Sequence, residues 1–294
     1  MPGHVLVGID GSDASFAALR WAAWYATTTK RELQVAHAWQ RSRWLVAHLA
    51  PTPSDVTVLE AEVEKLLEAA TREHVGDDVD IAAHLALRGE PADVLARRAV
   101  QDGANVLVVG ARGSGGASRL LLGSVSRALT ECPSHTVAVV PDSVQLPSRT
   151  PWEIVVGIDG SDGASRAMRW ALDAAQRGGG DVVAVHAFTC AADTPPDEEQ
   201  FLLEETRRRL TDEWCAPLRF GNVAHRVVIE RADARVLLQA IVDSTRPACL
   251  VLGSRGLGPV SSKLLGSVTA DAVRHIECPT VIVPSARDCV YWRT

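Results

Sequence analysis

The chain has 294 residues, 47% of them hydrophobic and 22% charged, a composition typical of a globular protein with room for two domains. Its net charge of −6 argues against a general nucleic-acid-binding protein, because no cationic excess exists to neutralise phosphates. The first residues lack a charged leader, and no apolar run approaches the roughly 18 residues of a membrane helix. We therefore expect a cytoplasmic protein that does not associate with membranes.

The six cysteines are scattered along the chain, and no two of them form a C-x-x-C pair. This spacing favours neither a zinc site nor a disulfide framework, so we expect reduced and mostly buried thiols. Only three of the 30 cationic residues are lysines, which together with the many alanines indicates a GC-rich genome.

A long internal repeat divides the chain in two. The segment VGIDGSD occurs at 7–13 and again at 156–162. Further along, GARGSGGASRLLLGSV matches GSRGLGPVSSKLLGSV at an offset of 143 residues instead of 149, so the second copy is six residues shorter. Repeats of this length indicate tandem domains. We predict them at 1–143 and 153–294, the second with a short C-terminal tail, joined by the Pro- and Ser-rich linker 144–152.

Each copy alternates strands and helices. In the first copy the pattern predicts strands at 4–9, 32–39, 79–87, 104–110 and 136–141 and helices at 14–26, 56–74, 91–101 and from 124. The second copy repeats the order, with strands at 152–158, 181–188, 225–230, 248–253 and 280–284. Ser12 or Asp13 is expected to cap the first helix. The alternation predicts two tandem doubly wound, Rossmann-like α/β domains, each with a five-stranded parallel sheet and helices on both faces.

A glycine-rich segment follows the fourth strand of each copy. Two residues separate its first and second glycines, and nine residues separate the second glycine from a Gly-Ser pair. The positions are Gly110, Gly113, Gly123 and Ser124 in the first copy and Gly253, Gly256, Gly266 and Ser267 in the second. Ligands of parallel sheets bind at this end of the strands, where the strand order reverses.

The spacing favours phosphate binding without a lysine. The first two glycines are expected to permit unusual backbone angles and close approach to a bulky ligand. The Gly-Ser pair begins a helix whose free N–H groups and dipole attract phosphate, and the serine hydroxyl can donate to a phosphate oxygen. The alternative is a plain glycine turn in which the serine only caps the helix.

Two further pairs of polar residues recur at the same end of the sheet. Asp10 and Asp159 end the first strands and could meet a nucleotide hydroxyl, an amine or a phosphate-bound metal, or could only shape the following turn. Arg112 and Arg255 follow the fourth strands and could either contact phosphate or remain solvated.

The second strands end in a repeated His-Ala pair. His37 and His186 are expected to be hydrogen-bonded structural residues and not catalytic groups. The neighbouring Ala38 and Ala187 are small enough to let a flat base approach the backbone.

These motifs resemble those of the universal stress protein family in its tandem-domain form, over nearly the whole chain. The signature is Gly-x2-Gly-x9-Gly-Ser/Thr, supported by GIDGS after the first strand and LLGSV at the last glycine. The resemblance implies ATP, often with magnesium, held by the glycines and serine, by Asp10 and Asp159, and by the adjoining Val125 and Val268. It also implies an actinobacterial member, an internal pseudo-dimer through the fifth strands and a homodimer.

Two departures from the pattern stand out. Cys-Pro precedes the fifth strand three residues earlier in the first copy, so Pro133 is expected to end its helix about a turn sooner. The loop after the second strand contains Trp44 in the first copy and is acidic in the second, so the two sites are expected to differ in affinity.

The sequence therefore predicts an ATP-binding stress-response sensor or regulator with one site per domain. No nucleophile–base pair or pair of carboxylates recurs near the loops, so we assign no catalytic residue and expect at most weak hydrolysis. Two alternatives stay open: a slow ATPase or nucleotidyl-transfer enzyme, and a structural member that binds partners without nucleotide.

Overall fold

The computed structural model describes residues 3–40, 53–76, 79–113, 122–131, 133–191, 193–256 and 265–285. It divides into two units, one formed mainly by residues before 145 and one mainly by residues from 145 onward. We call them domain one and domain two.

Domain one is an alternation of strands and helices around one parallel sheet. Its elements are β1 (Val5–Gly8), α1 (Asp13–Thr29), β2 (Leu33–Trp39), α2 (Pro53–Val75), β3 (Ile81–Arg88), α3 (Pro91–Gln101), β4 (Val106–Gly110), α4 (Ser124–Glu131) and β5 (Val137–Val140). The strands pair in the order β3-β2-β1-β4-β5, all parallel. The order reverses between β1 and β4, where a crevice opens at the carboxyl ends.

Domain two repeats this architecture. Its elements are β6 (Glu153–Gly157), α5 (Asp162–Gly178), β7 (Asp181–Phe188), α6 (Pro196–Arg209), a π-helical turn (Leu210–Trp214), α7 (Ala216–Phe220), β8 (His225–Arg231), α8 (Ala234–Thr245), β9 (Cys249–Gly253), α9 (Ser267–His275) and β10 (Thr280–Val283). The parallel order is β8-β7-β6-β9-β10, with its reversal between β6 and β9. The predicted doubly wound α/β fold is confirmed in both domains.

The central strands are buried on both faces because helices cover the sheet on each side. Every residue of β1 and β4 is buried, as their continuous Val- and Leu-rich sequences predict. Small side chains on α1, among them Ala17, Ala18 and Ala22, are fully buried and let that helix lie close to the sheet. None of the described helices combines the length and hydropathy that a membrane crossing requires.

Helix ends follow the sequence rules with one exception. Ser12 is the N-cap of α1, because its Oγ accepts a hydrogen bond from the Ser15 backbone N–H at 3.2 Å. We expected Pro133 to end α4 about a turn sooner than its counterpart in domain two, and this prediction is wrong by most of a turn. The helix reaches Glu131, whose repeat equivalent lies one residue before the end of α9. Proline restricts mainly the residue directly before it, so the helix can continue to that point.

The four cysteines in the described part of the chain are free thiols, and three of them are buried. Burial raises the pKa of Cys215 to about 11 and that of Cys278 to about 12. These thiols are therefore protonated and unreactive at neutral pH, as expected for cysteines that serve as small core residues. Cys132 and Cys289 lie outside the described residues.

The C-terminal caps of α1 and α5 provide a test of backbone strain. Lys30 and Gly179 are equivalent in the repeat, and both adopt left-handed backbone angles, with φ of 54° and 71°. A side-chain residue in this region costs roughly 1–2 kcal/mol, and glycine's extra freedom in the unfolded chain offsets part of that. We expect Lys30→Gly to stabilise domain one by about 0.5 kcal/mol and Gly179→Lys to destabilise domain two similarly.

Urea unfolding followed by circular dichroism measures both effects. Lys30→Ala, which keeps a Cβ atom at the same backbone angles, is the matched control and should not stabilise. A lower midpoint for Lys30→Gly than for the parent chain would show that the cap is unstrained.

Candidate functional site

The strand-order reversal of domain two contains a cavity of about 230 Å³. It lies at the carboxyl ends of β6, β7 and β9, the position where parallel sheets bind ligands. Every residue that the sequence predicted for the second copy lines it: Asp159, Ala187, Gly253, Arg255, Gly256, Gly266, Ser267 and Val268. The structure thus brings together residues that are separated by up to about a hundred positions in the chain.

Part of the cavity lining is apolar. Leu237 and Leu238 of α8 share a hydrophobic cluster with Leu252, and Ala187 of β7 packs against that cluster. The contribution of α8 was not foreseen, because helical periodicity identifies an apolar face without saying which side of the sheet it covers. An apolar lining of this kind suits a flat apolar ring, and glycines and polar residues complete the cavity.

The carboxylates of Asp10 and Asp159 each shape the turn that follows the first strand. Oδ1 of Asp10 accepts hydrogen bonds from the backbone N–H of Ser12 at 3.0 Å and from its hydroxyl at 2.6 Å. Oδ1 of Asp159 accepts from the Ser161 N–H at 2.9 Å. The prediction that each aspartate shapes the following turn is thus correct for Oδ1. The same hydrogen bonds orient Oδ2 toward the glycine motif.

The second glycine of each motif lies against that second carboxylate oxygen. A Cβ atom at Gly113 would lie 2.7 Å from Oδ2 of Asp10, and one at Gly256 would collide with Oδ2 of Asp159. These glycines are therefore needed to leave room for the aspartates. A side chain at either position would displace the carboxylate from the crevice.

The first glycine of each motif packs against a helix. A Cβ atom at Gly110 would lie 2.7 Å from the carbonyl oxygen of Ala14, and one at Gly253 would lie 2.6 Å from the carbonyl carbon of Gly163. The expected unusual backbone angles are wrong for the motif glycines, since none of them has a positive φ. Gly110 and Gly253 do permit a close approach, but the group that approaches each of them is the first turn of α1 or α5.

The third glycine and the following serine begin the last helix of each domain. The Gly266 N–H donates to the Ser254 carbonyl at 2.9 Å, as the Gly123 N–H does to Ala111 at 2.8 Å. Gly266 is the N-cap of α9 and provides no side-chain acceptor for the first turn, so Ser267 is not a helix cap. Ser267 and Ser124 are both exposed first residues of their helices. The loop residues between the second and third glycines are mostly outside the described residues, namely 114–121, which include Gly115, and 257–264.

The arginines differ between the domains in what surrounds them. Nη2 of Arg112 lies 3.0 Å from Oδ1 of Asp142, which forms an ion pair beyond the end of β5. Arg255 lines the cavity of domain two, and Ser285 occupies the position equivalent to Asp142. Both arginines are half-buried, so neither is fully solvated.

The repeated histidines are structural, as expected. Nδ1 of His37 lies 2.8 Å from the carbonyl oxygen of Ile9, and Nδ1 of His186 lies 2.7 Å from that of Ile158. A carbonyl only accepts, so Nδ1 carries the proton and each ring ties the second strand to the end of the first. Ala38 and Ala187 follow these anchored residues in β2 and β7.

An aromatic residue near the domain-two site was missed from the sequence. The Trp214 indole, in the π-helical turn, lies directly over Gly160, and its ring is 5.4 Å from that of His186. Among the described atoms, a Cβ at the equivalent Gly11 would meet nothing within 4 Å. The signal available in the sequence was a single tryptophan in the segment between β7 and β8. No group of three acidic, His or Cys side chains in the described part of the chain could hold a metal ion by itself.

The packing role of the glycines predicts unequal effects of adding a methyl group. Gly253→Ala forces a backbone collision with α5 and should destabilise domain two by about 1–3 kcal/mol, the usual cost of overpacking. Gly266→Ala is the matched control, because its Cβ would meet Arg255 Cα at an ordinary 3.4 Å. Urea unfolding measures both changes. Equal stability of the two variants would contradict the proposed contact between β9 and α5.

Comparison with known proteins agrees with the fold and the repeat. The model of the universal stress protein family matches residues 1–141 and again 153–284. A universal stress protein of Mycolicibacterium smegmatis is 32% identical over 290 residues, which cover 95% of this chain and 96% of that protein. The relatives found include several mycobacterial proteins, which confirms the expected actinobacterial affinity.

Solved structures share the architecture. The crystal structure of a universal stress protein from Archaeoglobus fulgidus matches with a TM-score of 0.66 at 19% identity, over 96% of this chain and 98% of that one. A structure of an Arabidopsis thaliana family member with AMP bound covers 46% of this chain and 92% of its own, at 22% identity and a TM-score of 0.34. From its two family matches, this chain belongs to the universal stress protein family as a tandem-domain member.

Proposed function

We propose that the protein is an ATP-binding stress-response regulator with one nucleotide site in each domain. The observation that carries the proposal is the domain-two cavity, whose lining includes all the residues predicted for the second copy. Both apolar and polar residues line this one cavity, which suits the two chemical ends of a nucleotide.

The base would occupy the apolar side of the cavity. Ala187 leaves the backbone of β7 accessible to a flat ring, and Leu237 and Leu238 extend the apolar lining beside it. The Val185 side chain continues this surface from the same strand. Burial of an aromatic base against aliphatic side chains supplies affinity, while the neighbouring backbone groups supply orientation.

The phosphates would lie at the start of α9. Its first turn has no side-chain cap, so the N–H groups there can donate to an anion. Ser267, which is exposed, and Arg255 line the same cavity. A lysine is unnecessary because backbone dipoles, a hydroxyl and one arginine together supply the positive potential.

The aspartate at the end of the first strand would bind the ribose or a magnesium ion that the phosphates carry. Asp159 borders the cavity and is held by its bond from Ser161. A carboxylate oxygen is a ligand of the type that magnesium prefers, and the metal would neutralise phosphate charge. Asp10 would take this part in domain one.

Domain one carries the same set at equivalent positions: Asp10, Ala38, Gly110, Arg112, Gly113, Gly123, Ser124 and Val125. Its described contacts repeat those of domain two. Oδ2 of Asp10 lies against Gly113, and the Gly123 N–H donates to the Ala111 carbonyl. We therefore propose a second site of the same design, bordered on the polar side by Ser124.

Nucleotide occupancy would alter partner binding in the cytoplasm, with the chain acting as a homodimer. A slow ATPase or nucleotidyl-transfer enzyme remains the alternative. A third possibility is a partner-binding protein that has no nucleotide. The intact glycine motifs in both copies favour the regulator.

The content of the purified protein separates these functions. We expect nucleotide chromatography of the denatured protein to show ATP approaching two molecules per chain. Mostly ADP, with turnover of added ATP, would favour the enzyme. Absence of nucleotide, together with no uptake on incubation, would rule out both the regulator and the enzyme.

Charge reversal at the helix starts tests the phosphate position. Gly123→Glu together with Gly266→Glu places a carboxylate where each triphosphate should lie, and we expect ATP retention to fall more than tenfold. Gly123→Ala with Gly266→Ala is the matched control and should retain ATP, because the added methyl groups meet neighbours at 3.1 Å or more. Equal retention by the two double variants would place the phosphates elsewhere.

A further inference from the structure

We propose that domain two has a further binding site, for a small organic phosphate, at the end of its sheet opposite the glycine motif. A cavity of about 480 Å³ lies there, lined by residues of the linker, the start of β6 and the turn between α8 and β9. All its lining residues fall within 145–153 and 245–248, which belong to domain two. We call it the linker cavity. None of the proposed ATP-site residues lines it, so the two proposals are independent.

The equivalent positions in domain one are glycines in close contact. Trp152 and Arg246, which line the linker cavity, correspond in the repeat to Gly3 and Gly103. A Cβ atom at Gly3 would lie 2.5 Å from the carbonyl oxygen of Gly103, so no side chain fits between the two backbones. Domain two has a large side chain at both positions, and the cavity is therefore a feature that the repeat does not share.

Two arginines line the linker cavity, Arg149 from the linker and Arg246 at the end of α8. Both are exposed, and neither has an ion-pair partner among the residues that the structure describes. One acidic residue, Glu153, also lines the cavity, but its carboxylate lies 3.6 Å from Nη2 of Arg226. The cavity therefore has a cationic excess in a chain whose net charge is −6, which favours an anionic ligand.

A phosphate group suits this pair of arginines better than a carboxylate does. Guanidinium groups donate paired hydrogen bonds to phosphate oxygens, and a phosphate dianion can use two cations where a carboxylate uses one. Arg246 is the C-cap of α8, and the partial negative charge at that helix end offsets some of its positive charge. Binding should therefore require Arg149 as well as Arg246.

Apolar residues complete the lining and favour a ligand with an organic body. Leu146, Pro147 and Ala248 line the linker cavity. So does Trp152, which is 5% exposed and whose indole Nε1–H donates to the Gly178 carbonyl at 3.1 Å. This bond anchors the aromatic residue independently of any ligand. The volume lies within the roughly 300–1,000 Å³ of small-molecule sites, so the cavity suits a phosphate monoester with a small apolar body.

The test titrates the full-length chain with phenyl phosphate, which combines a phosphate group with a small apolar ring. The indole N–H signal of Trp152 in the heteronuclear NMR spectrum reports binding at the linker cavity. We expect a saturable shift of this signal, and phenol, which lacks the phosphate, should bind at least about tenfold more weakly. Arg149→Gln with Arg246→Gln should lower the affinity for phenyl phosphate by about tenfold or more. Salt at about 0.5 M should also weaken binding, because it screens exposed charges.

Two controls isolate the cavity arginines. Arg207→Gln with Arg274→Gln removes the same charge from exposed positions of domain two that do not line the cavity, and should leave the affinity unchanged. Arg246→Gly introduces the residue found in domain one at a position whose φ is 47°, so the fold should be retained while the affinity falls severalfold. Urea unfolding checks that every variant is folded.

The outcomes are separate from those of the proposed function. No saturable shift of the Trp152 signal in the parent chain overturns the site, and so does undiminished affinity in Arg149→Gln with Arg246→Gln. Equal weakening by the control pair would assign the effect to overall charge, and equal binding of phenol would remove the role of the phosphate; either result overturns the proposal. Gly123→Glu with Gly266→Glu, which tests the ATP sites, should leave this titration unchanged.

Discussion

The contact between the fourth strand and the first helix is the constraint on which each site depends. Gly253 meets the backbone of Gly163, and Gly110 meets that of Ala14, at distances that leave no room for a side chain. This approach sets the width of the crevice at the strand-order reversal. It also lets the Ser161 hydroxyl reach the Arg255 carbonyl at 3.4 Å, which links the aspartate turn to the glycine loop. Without it, the predicted site residues would not share one cavity.

The glycine spacing therefore reflects packing requirements of the chain itself. The first glycine admits a helix, the second makes room for an aspartate, and the third starts a helix without a capping side chain. A motif of this kind joins three elements that are far apart in sequence. A nucleotide would benefit from the result, because a crevice already fixed by backbone contacts requires little further ordering on binding.

The sequence predicted the alternation of strands and helices, the parallel sheets and the set of residues around the cavity, because these depend on local patterns that the repeat shows twice. It could not predict that α8 provides Leu237 and Leu238, since no spacing relates that helix to the glycine motif. Trp214 was missed for a related reason. It lies in a segment that differs between the copies, and only tertiary structure brings it near the cavity.

Duplication explains why the sites could diverge without loss of the fold. The backbone contacts that shape each crevice are present in both domains, whereas the groups that modify it are not. Domain one has the Asp142 carboxylate beside its arginine, and domain two has Trp214 packed on the turn that follows Asp159. These differences lie on elements beside the glycine motif, where substitution leaves the core unchanged.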